Sequence, residues 1–127
     1  MSEYVLDASA VLALLNEEEG CERVALLLPD AAISTVNTCE VASKLLDAGM
    51  TVEDAQSAME LLNLEVVAFD AEMARIAASL RPLVKKLGLS LGDRCCIALG
   101  ILRGNTVVTA DRVWSKVAVG VNVEILR

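Results

Sequence analysis

Four acidic residues with mostly apolar or small neighbours are the side chains in this sequence best suited to chemistry. Two of them follow short apolar runs: Asp7 ends the segment YVLD, and Asp111 comes after TVVT with only Ala110 between. The other two, Glu40 and Asp93, lie within the segments STVNTCEVASKLL and SLGDRCCIALG. An ionised carboxylate near apolar groups is costly to desolvate unless something compensates its charge. Each acid therefore has a local structural role or belongs to a site.

Converging carboxylates either take up protons or bind cations, because their mutual repulsion must be relieved. Oxygen ligands without His or Cys suit Mg²⁺ or Mn²⁺ better than zinc. The sequence contains no histidine, which excludes Ser-His-Asp and Cys-His catalysis and the H-E-x-x-H zinc helix. A divalent cation can bind a phosphate oxygen, activate a water and stabilise the leaving oxygen. If the acids converge, phosphodiester hydrolysis is the chemistry they suit.

Each acid also has an interpretation that involves no site. Asp7 and Asp111 can each cap the helical segment that follows. Asp93 can complete a capping box with the serine three residues before it. Glu40 can pair with Lys44 at the favourable i, i+4 spacing. These interpretations explain the acids singly, but they do not explain why all of them fall where a doubly wound sheet would gather them.

Short β-branched runs alternate with longer segments of helical periodicity, which is typical of an α/β fold. Strands are predicted at residues 4–6, 31–34, 65–69, 106–109 and 121–126. Helices are predicted at residues 9–16, 21–28 and 36–48, from Thr51, over 70–87 with a break at Pro82, from Ser90, and as a short turn over 111–115. Most strands are apolar on both faces, which indicates a parallel sheet between helices. Such sheets bind ligands at the carboxyl ends of their strands, where Asp7 and Asp111 lie.

The composition favours one domain with a dense core. The chain has 127 residues, of which 55% are hydrophobic, and charged residues interrupt every apolar run before the roughly 18 residues that span a bilayer. The opening MSEYVL lacks a basic region and a cleavage site, so no secretory signal is expected. A cytoplasmic protein with reduced structural thiols is therefore predicted, the cysteines being Cys21, Cys39, Cys95 and Cys96.

The net charge of −7 argues against a protein that simply coats nucleic acid. Only 2% of the residues are aromatic, so the sequence offers no platform for stacking bases. A bound divalent cation would remove this objection, because the ion itself supplies the positive charge that a phosphodiester requires.

The segments VLDASAVLALL, NTCEVASKLL, GLSLGDRCCIALG and VVTADRVW resemble, in this order, the PIN-domain family of metal-dependent ribonucleases. Within that family the chain is most similar to the VapC toxins of bacterial and archaeal type II toxin–antitoxin systems. The segment GLSLGDR with a downstream TAD is the most specific part, and the resemblance spans nearly the whole chain. It implies a single domain over residues 1–127, with an α/β/α sandwich around a central, mainly parallel sheet of four to five strands.

The resemblance also assigns roles to residues. The metal-binding and catalytic side chains would be Asp7, Glu40, Asp93 and Asp111, with Asp111 either a ligand or a supporting acid. Three polar residues near them in sequence are candidates to orient a carboxylate or a water, although ordinary capping would also explain the hydroxyls: Ser9, Asn37 and Thr109. Four basic residues beside the motifs could contact RNA phosphates or form salt bridges: Lys44, Arg94, Arg112 and Lys116. Many relatives carry Thr-Asn after the first aspartate, where this chain has Ala8-Ser9.

The predicted function is a Mg²⁺- or Mn²⁺-dependent endoribonuclease that acts as a toxin. By the same resemblance, its partners would be an RNA substrate and a VapB-like antitoxin, and the chain would form a homodimer. An apolar groove would accept a partner helix, and exposed acids would attract a basic tail. The alternative is a catalytically inactive PIN-fold binding or regulatory module. A haloacid-dehalogenase phosphatase is disfavoured because it needs a D-x-D pair, where this chain has Asp7-Ala8-Ser9.

Overall fold

A parallel β-sheet forms the centre of the computed structural model, which describes residues 2–127. Its strands are β1 (Tyr4–Leu6), β2 (Ala31–Ser34), β3 (Glu65–Val67), β4 (Thr106–Thr109) and β5 (Val123–Ile125). They lie in the order β3-β2-β1-β4-β5, and every neighbouring pair is parallel. The predicted α/β sandwich around a mainly parallel sheet is therefore confirmed.

Helices connect the strands. They are α1 (Ala8–Leu15), α2 (Cys21–Leu27), α3 (Thr35–Asp47), α4 (Val52–Leu61), α5 (Ala71–Ser79), α6 (Arg81–Val84) and α7 (Leu91–Arg103). Short 3₁₀ segments cover Leu28–Asp30, Lys85–Leu87 and Arg112–Lys116. Oxygen-bearing side chains begin most of the longer helices by accepting a hydrogen bond from a backbone N–H of the first turn, as Ser34 does for α3 and Thr51 does for α4. No helix within residues 2–127 is long and apolar enough to cross a bilayer.

The segment predicted as one helix over residues 70–87 is divided at the expected place. Helix α5 ends at Ser79, and the four-residue α6 follows with Pro82 in its first turn, where the missing N–H costs least. The predicted strand over 65–69 is shorter than expected, because the N–H of Phe69 donates to the hydroxyl of Thr35 at the start of α3. The last strand also covers fewer residues than predicted, since its ladder with the short β4 pairs only Val123–Ile125.

Both faces of the sheet are covered by helices. Alternate residues of the central strands point to opposite faces, so that Leu6 and Val108 pack with α1–α4, while Val5 and Val107 pack with α5–α7. Cys95 and Cys96 are buried in α7, as expected of structural thiols, whereas Cys39 is exposed on α3. Trp114 is fully buried and anchors the 3₁₀ turn after β4.

The order of the strands fixes where a site can form. From β1 the chain builds outward through β2 and β3, and it then crosses to the other side of β1 to form β4 and β5. The connections leaving β1 and β4 therefore diverge and leave a crevice at the carboxyl ends of these two strands.

Candidate metal centre

The structure brings the four predicted acids together around one pocket of about 220 Å³ at the carboxyl ends of β1 and β4. Its acidic lining comes from four different places in the chain: Asp7, Glu40, Asp93 and Asp111. Asp7 follows β1, Glu40 lies on α3, Asp93 lies in the first turn of α7, and Asp111 precedes the 3₁₀ turn after β4. Lys44, one turn after Glu40, lines the same pocket.

Asp7 is the most buried of these acids, with only 4% of its surface exposed. Its Oδ1 accepts hydrogen bonds from the Ser9 hydroxyl (2.7 Å) and from the N–H of Ala10 (2.8 Å), which makes Asp7 the N-cap of α1. Its Oδ2 accepts a hydrogen bond from the Thr109 hydroxyl at 2.5 Å. These three donors hold the carboxylate in one orientation.

Ser9 and Thr109 also join the two strand ends to each other. Their hydroxyl oxygens lie 3.2 Å apart, and the Ser9 hydroxyl accepts a hydrogen bond from the N–H of Ala110 (2.9 Å). The Thr109 hydroxyl accepts one from the N–H of Asp111 (3.1 Å). Both residues lie where the sequence predicted polar groups that orient a carboxylate. Ser9 performs this contact although the chain lacks the asparagine that many relatives carry there.

Burial dominates the titration of Asp7. It raises the pKa of the Asp7 carboxyl from 3.8 to about 6, and the hydrogen bonds from Thr109, Ser9 and Ala10 oppose this rise without cancelling it. The negative charge of Asp93 adds a smaller increase to the same pKa. A cation in the pocket would relieve both the desolvation and the repulsion, because it would favour the ionised form.

Glu40 is held by a polar residue one helical turn before it. The Asn37 side chain, only 1% exposed, donates from Nδ2 to Oε1 of Glu40 (2.7 Å) and to the carbonyl oxygen of Gly92 (3.0 Å). The Ser34 hydroxyl donates to Oδ1 of Asn37 at 2.8 Å. The alternative pairing of Glu40 with Lys44 is absent from the described residues 2–127, where the ion pairs join other side chains.

Asp93 caps α7 from within its first turn, Asp111 caps the 3₁₀ turn after β4, and both line the pocket as well. Oδ2 of Asp93 accepts a hydrogen bond from the N–H of Ser90 (2.8 Å), and the Ser90 hydroxyl accepts one from the N–H of Asp93, which completes the capping box. Oδ1 of Asp111 accepts a hydrogen bond from the N–H of Val113 at 3.1 Å. The side chains that cap these two segments therefore also line the pocket, so capping does not rule out a role in a site.

The donor set fits a divalent cation in its chemistry. It offers only oxygen ligands, which suit Mg²⁺ and Mn²⁺. Within residues 2–127, each of these three acids has one carboxylate oxygen that accepts no hydrogen bond: Glu40, Asp93 and Asp111. In the arrangement shown for these residues, however, no three His, Cys, Asp or Glu side chains approach closely enough to hold one ion. Coordination by three carboxylates would therefore require side chains to turn from their capping positions toward the pocket.

The four basic residues predicted to contact RNA occupy different environments. Lys44 lines the pocket, and Arg112 and Lys116 are exposed on the turn that follows Asp111. Arg94 instead donates to the carbonyl oxygen of Ala77 in α5 (3.0 Å), so its guanidinium is used in packing α7 against α5. Contact with RNA stays a prediction for all four basic residues.

Gly92 and Ser34 are two residues of this site that the sequence interpretation missed. Gly92 is part of the quoted GLSLGDR segment, but its relation to Glu40 depends on how α3 packs against α7. Ser34 was expected only as the end of a strand. Asn37, three residues later, is a polar residue on an otherwise apolar face of α3. That position is the signal that could have indicated a row of buried, hydrogen-bonded polar side chains.

A second, apolar pocket of about 470 Å³ lies between α3 and α4. On α3 it is lined by Thr38, Ala42 and Leu46, which share one helix face. Glu40 and Lys44 lie two residues out of step with this series, so they belong to the opposite side of α3. We call this second pocket the α3–α4 groove; its lining from other elements includes Ile33, Val52, Ala55, Met59 and Val66.

A family model described as PIN domain matches residues 4–120. No curated protein matches the chain.

Among solved structures, the chain is similar to one in DNA-bound VapBC from Salmonella typhimurium, with 22% identity, a TM-score of 0.77 and 100% of both chains covered. It is also similar to a chain of VapBC2 from Rickettsia felis bound to a promoter DNA fragment (20% identity, TM-score 0.76, 98% of both chains). A third match is VapBC-5 of Mycobacterium tuberculosis, described as a member of the VapBC family of toxin–antitoxin systems (26% identity, TM-score 0.67, 98% of both chains).

Proposed function

The chain belongs to the PIN-domain family, and from this membership we propose that it is a divalent-metal-dependent endoribonuclease, the VapC-like toxin of a type II toxin–antitoxin pair. One observation carries the proposal: four carboxylates from distant parts of the chain line a single pocket at the carboxyl ends of β1 and β4. Helix capping explains three of these acids locally, but it does not explain why all four face the same pocket.

The chain's own residues would hold a Mg²⁺ or Mn²⁺ ion and position the RNA. When bound, such an ion supplies an activated water and stabilises the leaving oxygen of the phosphodiester. Asp7 would be the fixed ligand, because Ser9, Ala10 and Thr109 already determine its orientation. Glu40, held by Asn37, would add its free oxygen, and Asp93 and Asp111 would complete the coordination by turning from their capping hydrogen bonds.

Two further features of the pocket support this chemistry. Lys44 places a positive charge at its edge, where it would contact an RNA phosphate and offset part of the acidic charge. Below about pH 6 the Asp7 carboxyl must lose its proton for the ion to bind, so metal affinity should increase as pH rises through about 6 and should level off above that.

We assign the α3–α4 groove to an apolar helix of a VapB-like antitoxin. The matched structures are VapBC complexes, and the groove offers an apolar concave surface of the kind that accepts an amphipathic helix. Its rim carries negative charge from Glu60, and Glu53 and Asp54 lie in the first turn of α4. These acids would attract a basic partner.

Self-association of the chain stays a prediction. Leu83 and Leu91, which are exposed outside the groove, are apolar side chains available to such an interface.

The nuclease proposal is tested with purified protein and a circular RNA, which only an endonuclease can open. The wild type should linearise the RNA in Mn²⁺ or Mg²⁺, and EDTA should abolish the reaction. Asp93→Asn should remain folded, by circular dichroism, and should not cleave. A folded wild type that leaves several structured RNAs intact in Mn²⁺ would contradict the proposal and favour the inactive binding or regulatory module.

A further inference from the structure

Gly92 is the only glycine in the described part of the chain that lies against the carboxylate of Glu40. A Cβ atom built at Gly92 would overlap both carboxylate oxygens of Glu40 and would lie 2.5 Å from its Cδ. The carboxylate of Glu40 therefore occupies the space in which any other residue would place its side chain.

The backbone of Gly92 does not itself require glycine. The residue is buried in the first turn of α7 and is absent from the positive-φ glycines of residues 2–127. Alanine is the better helix former, so local helix stability disfavours glycine at this position. Contact with Glu40 is thus the feature that explains a glycine here.

Asn37 holds the same carboxylate from the other side. Its amide bridges Oε1 of Glu40 (2.7 Å) and the carbonyl oxygen of Gly92 (3.0 Å). Because a carbonyl oxygen can only accept a hydrogen bond, the amide nitrogen must face Gly92, and Oδ1 then faces the hydroxyl hydrogen of Ser34. The chain of contacts from Ser34 through Asn37 joins the start of α3 to the start of α7.

We propose that Gly92 and Asn37 are positioning residues that hold the carboxylate of Glu40 in the acidic pocket, Gly92 by leaving space for it and Asn37 by donating to it. This inference rests on the proposed function, because it gives Glu40 a fixed place toward a divalent cation. It adds that the place is set jointly by two helices, and that even a single methyl group at position 92 displaces the ligand.

Gly92→Ala tests the steric part. The side chain of Glu40 is flexible at its far end, so we expect it to swing away while the fold is retained, with the melting temperature of the metal-free protein unchanged or raised. Mn²⁺ affinity, measured by calorimetric titration, should fall tenfold or more, since residues that support a ligand typically contribute about 10- to 100-fold. In a Glu40→Ala background, the same substitution should change the affinity less than about twofold, because the displaced group is gone.

Asn37→Asp tests the donor with a side chain of the same shape. It places a carboxylate oxygen where the amide nitrogen lay 2.7 Å from Glu40, so repulsion should expel Glu40 and weaken Mn²⁺ binding to a similar extent. A readout without metal is the side-chain amide of Asn37 in ¹⁵N NMR spectra. This amide should exchange slowly with solvent in the wild type and should shift and exchange faster in Gly92→Ala.

The outcomes separate the two proposals. If the wild type binds Mn²⁺, and Gly92→Ala binds it equally well with an unshifted Asn37 amide signal, the positioning role alone is overturned. Equal losses from Gly92→Ala in the wild-type and Glu40→Ala backgrounds would overturn it as well, because the effect would not pass through Glu40. A wild type that does not bind Mn²⁺ would overturn the proposed function and this inference with it.

Discussion

The hydroxyl of Thr109 at the end of β4 donates a hydrogen bond to Oδ2 of Asp7 at the end of β1, 2.5 Å away. The two residues are 102 positions apart in sequence and meet because their strands are neighbours in the sheet. This contact is the centre of the polar network under the acidic pocket, and it gives the first prediction.

Thr109→Val removes the hydroxyl but keeps the shape of the side chain. Loss of a buried hydrogen bond to a charged group should lower the free energy of unfolding by about 1.5–3 kcal/mol. The pKa of Asp7 should rise further, because one of the groups that favours its ionised form is lost. Urea denaturation and Mn²⁺ titration measure the two effects. Thr106→Val, at the opposite end of the same strand, is the matched control and should leave Mn²⁺ affinity unchanged.

The raised pKa of Asp7 predicts a specific pH dependence of stability in the metal-free protein. The folded state binds the proton more tightly than the unfolded state, so the contribution of Asp7 is fully present below pH 3.8 and is lost as pH rises through about 6. A shift from 3.8 to about 6 corresponds to about 3 kcal/mol. The difference in unfolding free energy between wild type and Asp7→Asn should therefore decrease between about pH 4 and pH 7.

Urea denaturation of both proteins across this range is the measurement, and taking the difference cancels the titration of the other carboxyls. A difference that stays constant, or that grows with pH, would contradict the assignment of a raised pKa to Asp7. Saturating Mn²⁺ should reverse the trend in the wild type, because the ion stabilises the ionised form.

Substitutions at Asp93 separate its capping role from its charge. Asn can still accept the hydrogen bond from the N–H of Ser90, whereas Ala cannot, so metal-free Asp93→Asn should be about 1 kcal/mol more stable than Asp93→Ala. Asp93→Asn should also equal or exceed the wild type in stability, since it removes repulsion with Asp7. Chemical denaturation in EDTA measures the free energies of unfolding and so checks both stability comparisons. A metal-free Asp93→Asn that is much less stable than the wild type would contradict the repulsion argument.

The α3–α4 groove predicts where antitoxin binding can be disrupted. Leu46→Lys places a charge in the groove at a residue that is 40% exposed, so the fold should tolerate it while affinity for the VapB-like antitoxin falls tenfold or more. Leu26→Lys, on the exposed side of α2 and outside the groove, should bind like the wild type. Calorimetry compares them, and equal affinities of the two variants would place the antitoxin elsewhere.

Much of the fold could be predicted because its signals are local. Capping residues such as Thr51 and Ser90, and the break at Pro82, act on the residues next to them, so these helix starts and the division of the long helix were predictable from sequence. Strand ends were less predictable, since they depend on a neighbour. The N–H of Phe69 leaves the ladder because the Thr35 hydroxyl is close in space, which no local pattern indicates.

In the site, too, features set by local sequence could be predicted and features set by packing could not. The positions of Asp7 and Asp111 after strands were readable, because parallel strands end at one edge of the sheet. The direction of a long side chain was not, and Arg94 packs on the carbonyl of Ala77 although it follows Asp93 directly. Gly92 was missed because its fit to Glu40 is set by the packing of two helices far apart in sequence.

Calorimetric titration with Mn²⁺ tests most directly whether the acids act together. The proteins compared are the wild type, Asp7→Asn, Glu40→Gln, Asp93→Asn and Asp111→Asn. We predict saturable binding by the wild type that is weakened at least tenfold in Asp7→Asn, Glu40→Gln and Asp93→Asn, measurably in Asp111→Asn, and not at all in the surface control Asp30→Asn. Binding that survives in both Asp7→Asn and Asp93→Asn, or a folded wild type that takes up no Mn²⁺, would contradict the shared metal centre.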